Sequence, residues 1–232
     1  ENAAERFAHI ASTYANHPKA PQAQFMVAYC LGQLYAAEAT PERLENYERA
    51  LEQLLRSFGS DQSAVEGRWL LGSRRMHQRL WSDAIELWKD IPRGHARFAA
   101  ARQEQGRAYE SWLVDLWTRS QPSEKVAVEA IQYLKQALAT PRGATLAAPD
   151  VSIALRLVWI LLHPTVGRYD EAEEILEQIL FGQPANETER GEARRLTVTA
   201  LLGQDKFDAA RRMLETEFVG VPQELFAVVQ SL

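Results

Sequence analysis

Residues 167–184 read GRYDEAEEILEQILFGQP. A turn glycine, Gly167, is followed two residues later by an aromatic, Tyr169, and three after that by a small residue, Ala172. Leu176 and Ile179 continue one face of a helix that the spacing ends before Pro184. Residues four apart lie one above the other on a helix, so Ala172 lets an antiparallel helix approach and Leu176 and Ile179 fill the groove beside it. That is the second helix of a helix–turn–helix repeat, and the pattern should recur along the chain.

It does recur. Phe207, Ala210 and Leu214 restate Tyr169, Ala172 and Leu176, and Pro222 follows Ala210 at the distance at which Pro184 follows Ala172. Ala84 and Trp88 repeat the small-to-large step before Pro92. Candidate first helices carry a glycine where a neighbour must come close: Leu31-Gly32 with Tyr35, Leu71-Gly72, and Gly106 with Tyr109. Thr40 and Pro41 predict a cap and first turn for a helix striped by Leu44, Tyr47, Leu51, Leu54 and Phe58, with Gly59 at its end. Phe7, Ile10, Ala11 and Tyr14 predict an amphipathic opening helix, a second helix without its partner. Ser123 and Asp150 are expected to cap the helices that follow them.

The fold class this predicts is all-α, an antiparallel helix-hairpin solenoid of about six hairpins. Residues 1–232 form one repeat domain, and the proline- and glycine-containing stretch 141–149 is a hinge or a loop insertion. The chain starts at Glu1 inside a helical pattern, as an excised domain or a processed chain would. Residues 223–232 carry Leu225, Phe226, Val228, Val229 and Leu232, apolar enough to dock on the last hairpin and to allow self-association through its outer side.

Composition narrows the function. Of 232 residues 46% are hydrophobic, ample for a core, and a net charge of −5 supplies no basic field to hold nucleic acid or an anionic membrane. The most apolar run, residues 158–162, is fenced by Arg156 and His163 far short of a membrane span. Cys30 stands alone among apolar neighbours and is expected to be a buried, inert thiol. His9, His17, His77, His95 and His163 are dispersed without metal-ligand spacing and are expected on the surface or in loops. No phosphate-binding glycine loop or nucleophile elbow is present. No cofactor and no metal are expected. Trp81, Trp88 and Trp159 are expected in the core, whereas Trp69, Trp112 and Trp117 could anchor a ligand or pack.

A Leu-Gly-x-x-Tyr first helix (Leu31, Gly32, Tyr35) and an Ala-x-x-x-aromatic second helix, with Gly167, Tyr169, Ala172 and Pro184 as its other marks, resemble tetratricopeptide repeats. The sequence departs from that pattern at Arg75, where a tyrosine would stand, and at Gln105, where a leucine would stand. Residues 14–23, YANHPKAPQA, are similar to a repeat junction of bacterial envelope proteins, the outer-membrane-assembly lipoproteins and the periplasmic partner of the Tol–Pal system. That similarity implies a periplasmic or envelope location. The repeat resemblance implies a right-handed superhelix with a concave surface lined by first helices. It also implies a non-catalytic protein–protein interaction scaffold that takes a peptide or partner helix. The alternative is a structural or oligomerisation module attached to a catalytic or envelope-assembly domain.

In that register Tyr29, Gln33, Trp69, Ser73, His77, Gln103 and Arg107 line the groove. Some related domains clamp a peptide's terminal carboxylate with a lysine and an asparagine. Tyr29/Gln33 and Trp69/Ser73 stand at those spacings here, so a mixed aromatic–polar groove without preference for acidic C-terminal tails is expected.

Overall fold

The computed structural model describes residues 2–138, 146, 148–181 and 185–217. Among them the chain is all-α. It forms α1 (Asn2–Thr13), α2 (Ala20–Ala37), α3 (Pro41–Phe58), α4 (Gln62–His77), α5 (Trp81–Lys89) and α6 (Phe98–Thr118). It continues with α7 (Glu124–Leu138), α8 (Ala148–Leu162), α9 (Tyr169–Phe181), α10 (Glu187–Gly203) and α11 (Phe207–Glu217). Five helix pairs run from α2/α3 to α10/α11, with α1 packed on α2. The chain divides into two compact units, Glu1–Ala108 and Tyr109–Leu232.

The small-to-large step behaves as its chemistry requires. Ala84, Ala172 and Ala210 are buried, and so are Trp88, Leu176 and Ile179 on the same faces. Gly32 and Gly72 on first helices each receive a ring from the paired second helix. A Cβ on Gly72 would lie 2.4 Å from the indole nitrogen of Trp88, and one on Gly32 would lie 3.0 Å from the Tyr47 ring. With no side chain in the way, the Trp88 indole lies on the α4 backbone and donates to the Trp69 carbonyl at 3.3 Å.

Both departures from the repeat pattern have a physical reason. Arg75 forks across α3, donating to Glu48 at 3.0 Å and Glu52 at 2.5 Å, while Arg74 and Gln78 also reach Glu48. Charge thus replaces the ring contact a tyrosine would make. Gln105 is buried, and its side-chain amide donates to the Ile85 carbonyl at 3.1 Å.

Several expectations are corrected. The buried face of α1 carries Ala4 and Ala11, flanked by half-buried Phe7 and Ala8; Ile10 and Tyr14 point outward, 42% and 60% exposed. Thr40 does cap α3, accepting from the Arg43 N–H. Asp150 does not cap α8, which begins at Ala148; its carboxylate sits in the first turn, where the helix dipole favours it. α10 starts at Glu187, where Asn186 and Glu189 close a reciprocal capping box. Cys30 and Trp81 are half-buried rather than core. Of the stretch 141–149, Leu146 is buried and residues 148–149 belong to α8, while 141–145 and 147 lie outside the described residues, as do Pro184 and 218–232.

The turns inside the hairpins share one device. Gly167 is left-handed at φ 62°, and so are Arg79 (59°), Ser120 (51°) and Asp205 (58°) at the ends of α4, α6 and α10. At each of these three the next N–H returns to a carbonyl five residues back: Leu80 to Arg75, Gln121 to Leu116, Lys206 to Leu201. This closes the last helical turn with a left-handed residue just past it. After α8 the turn is two residues longer, and the Arg168 N–H reaches Leu161 instead.

Candidate functional site

These turns give a ruler for the first helices. Gly72 lies seven residues before Arg79; the same step from Ser120 and Asp205 reaches Leu113 and Val198, and the longer turn after α8 places Val158 in register. Leu113, Val158 and Val198 have no exposed surface, and Gly72 is buried. Three residues before and one after each of them, the helix presents Trp69/Ser73, Glu110/Val114, Leu155/Trp159 and Arg195/Thr199. Five after, it presents His77, Thr118, His163 and Gly203.

In the second unit that register meets a cleft of about 620 Å³. Trp159, Leu162, Leu196 and Leu202 form its apolar floor, and Tyr169 stands against Gly203, where a Cβ would fall 2.4 Å from the ring. Glu110, His163, Glu192, Arg195 and Thr199 border it. A smaller cleft of about 280 Å³ shares Glu110, Trp159 and Glu192 and extends to Ser152, Arg156 and Glu189. The two make one groove along α6, α8 and α10, all first helices.

Val151, Leu157, Val158, Ile160 and Leu161 are fully buried among neighbouring helices, which leaves Trp159 half-buried and turned to the cleft. The Trp117 ring lies 5.2 Å from that of Trp159 and stacks flat on His163 at 3.4 Å, while its indole N–H donates to Ser123 at 2.8 Å. The His163 Nδ1 accepts from the Thr165 backbone at 3.3 Å and lies 2.9 Å from its hydroxyl. Burial lowers the imidazole pKa, and Nδ1, acting as an acceptor, leaves the proton of the neutral ring on Nε2. Glu110 is ion-paired with Arg156 of α8. Glu189 is engaged by the Asn186 backbone N–H at 2.9 Å. Glu192 and Arg195 have no side-chain partner among the described residues.

The residues expected to line the groove lie in the first unit and border neither of these clefts. Tyr29 and Gln33 on α2, and His77 at the end of α4, are exposed. Trp69 and Ser73 are drawn into packing: the Trp69 ring is tilted on Trp88 at 6.0 Å with the Arg97 guanidinium above it, and Ser73 donates to the Trp69 carbonyl at 2.9 Å. Gln103 is exposed and Arg107 pairs with Glu104 on α6 at 3.0 Å. Missing from that set were Glu110, Trp159, His163, Arg195 and Thr199. The signal that finds them is the turn, not the glycine, because α8 and α10 carry valine at the glycine's place.

Among the described residues no group of histidine, cysteine and carboxylate side chains is placed to hold a metal ion, and no helix is long and apolar enough to cross a membrane. No family model and no curated protein matches the chain. Among solved structures it is similar to a thermophilic tetratricopeptide-repeat protein of Thermus thermophilus, at 21% identity and a TM-score of 0.45, over 90% of this chain and 96% of that one. So distant a likeness carries no weight for function, and the chain stands as an all-α helix-hairpin repeat protein on the helices described above.

Proposed function

We propose that the chain is a non-catalytic protein-interaction scaffold whose first helices seat an extended peptide or a partner helix, principally in the cleft of the second unit. The observation that supports it best is the cleft's make-up. A concave apolar floor with a few polar groups at its border suits one or two anchoring side chains. Its walls are helical except at the turn carrying His163 and Pro164, so most of the seat is formed before the partner arrives. In the first unit, the face carrying Tyr29, Gln33, Trp69, Ser73, His77, Gln103 and Arg107 is proposed as a second, more polar contact, indifferent to acidic C-terminal tails. An envelope location belongs to the same proposal and rests on the junction at residues 14–23 alone; fractionation of native cells checks it.

The test is fluorescence polarisation with a library of labelled, C-terminally amidated peptides containing bulky apolar residues. Peptides that bind should weaken about tenfold or more against Trp159→Ala, a loss of about 1.4 kcal/mol. Equal affinity for Trp159→Ala and wild type, with Trp159→Ala still folded by circular dichroism, overturns the assignment to this cleft. A second reading, a structural or oligomerisation module, is favoured by Val128 and Phe181, which sit 63% and 87% exposed on second helices. A mass that rises with concentration and falls with Phe181→Ser would support it.

A further inference from the structure

We infer that the cleft of the second unit selects peptides in which a bulky apolar residue is followed closely by an acidic one, with Arg195 as the residue that reads the acid. The inference rests on the scaffold reading above and adds the ligand's chemistry to it. Arg195 is half-buried at the border of the cleft, beside Leu196 on the floor and one turn before Thr199. Its guanidinium has no partner among the described residues. A charge partly withdrawn from water is costly unless a counter-charge meets it, and a guanidinium is shaped to take a carboxylate through two parallel hydrogen bonds.

The cleft's own carboxylates do not supply that counter-charge. Glu110 is held by Arg156, and Glu189 closes the cap at the start of α10. Glu192 lies one turn before Arg195 on the same helix and makes no ion pair with it. No carboxylate among the described residues completes Arg195, and we assign that role to the occupant.

Glu192 also sets direction. With Glu189 and Glu110 it makes the groove lining nearest the start of α10 acidic, Arg156 being the cation among the described lining residues there. A ligand carboxylate is repelled from that end and attracted toward Arg195 and Thr199. The floor between, Trp159, Leu162 and Leu196, takes the apolar side chain. Attraction at one end and repulsion at the other is what turns binding into discrimination.

The experiment uses the full chain and amidated peptides with a central phenylalanine, followed within three residues by aspartate, asparagine or lysine. Polarisation titrations should rank aspartate above asparagine by about tenfold, with lysine weakest. Arg195→Gln should erase the gap between the aspartate and asparagine peptides; Arg195→Lys should keep part of it. The gap should also narrow at high salt, as a partly exposed charge contact must. If aspartate and asparagine peptides bind wild type equally, the charge reading is overturned and the scaffold reading survives. If no peptide of the set binds, both fall. If Arg195→Gln weakens all peptides alike while its melting curve is unchanged, Arg195 shapes the cleft without reading charge and the inference is wrong.

Discussion

Helices α4 and α8 are both first helices of their hairpins, yet they keep their neighbours by different chemistry. On α4 the buried positions are small, Ala64, Gly67 and Gly72, with Val65 and Leu71; charge finishes the contact through Arg74 and Arg75 on Glu48. On α8 the buried positions are aliphatic almost throughout, and beyond its first turn the half-buried ones turn outward as Ser152, Arg156 and Trp159. The α4 solution brings the Trp88 ring onto the helix backbone and tilts Trp69 against it. In the α8 solution the core is complete without Trp159, which is left to face a cleft. One repeat geometry therefore tolerates two packings, and the more apolar of the two leaves the aromatic side chain lining the cleft.

The largest expected effect lies on the α8 side. Leu157→Ala empties a fully buried site in a helix whose neighbours are all committed, and should cost about 2–5 kcal/mol in urea unfolding. A loss below about 1 kcal/mol would mean that α8 is not the core of its unit. On the α4 side the sensitive change is an addition. Gly72→Ala places a methyl group 2.4 Å from the Trp88 nitrogen and should cost about 1–3 kcal/mol, although alanine is the better helix former. Were Gly72→Ala to stabilise the protein, the ring-on-backbone contact would be refuted.

A smaller difference should appear with pH. The His163 pKa is lowered in the fold by burial, so the unfolded state binds its proton first as pH falls. Stability from this site is complete above the unfolded value, ordinarily 6.5, and declines as pH drops from there through the lowered folded value. His163→Phe keeps a flat ring on Trp117 and should remove this part of the acid dependence. The carboxyl of Glu173 is held low by hydrogen bonds from Lys206 and Gln204, and its contribution disappears only at more acid pH, below its ordinary 4.5. An unchanged melting profile between neutral pH and pH of about 5 in both wild type and His163→Phe would contradict the assignment of His163. The smallest expected change is a gain: Asp205→Gly relieves a left-handed residue and should stabilise by about 0.5 kcal/mol.

How much of this was legible follows from which residues declare their role. Ala172 with Leu176, and Ala84 with Trp88, announce a close-packed second helix because size alone decides what fits. Thr40-Pro41 announces a helix start because few residues serve there. The left-handed turns at Arg79, Ser120 and Asp205 were silent, since none of these residue types is tied to that conformation; only Gly167 declared it. With glycine as the ruler, the groove was sought on α2, α4 and α6. Val158 and Val198 hold the equivalent register on α8 and α10 while looking like ordinary core. Trp159 sat in the most apolar run of the chain, and its outward turn is visible only once both flanks of α8 are seen to be filled.

The central claim is that the partner's seat is the face of α6, α8 and α10 in the second unit. The measurement that reaches it most directly is mapping of amide and indole NMR shifts on titration with a bound apolar–acidic peptide. The account predicts the largest perturbations at the Trp159 indole, Arg195, Leu196 and Thr199, saturating together, with Tyr29, Gln33 and His77 moving less. Perturbations centred on Tyr29, Gln33 and Trp69, with the Trp159 indole unmoved, would contradict it.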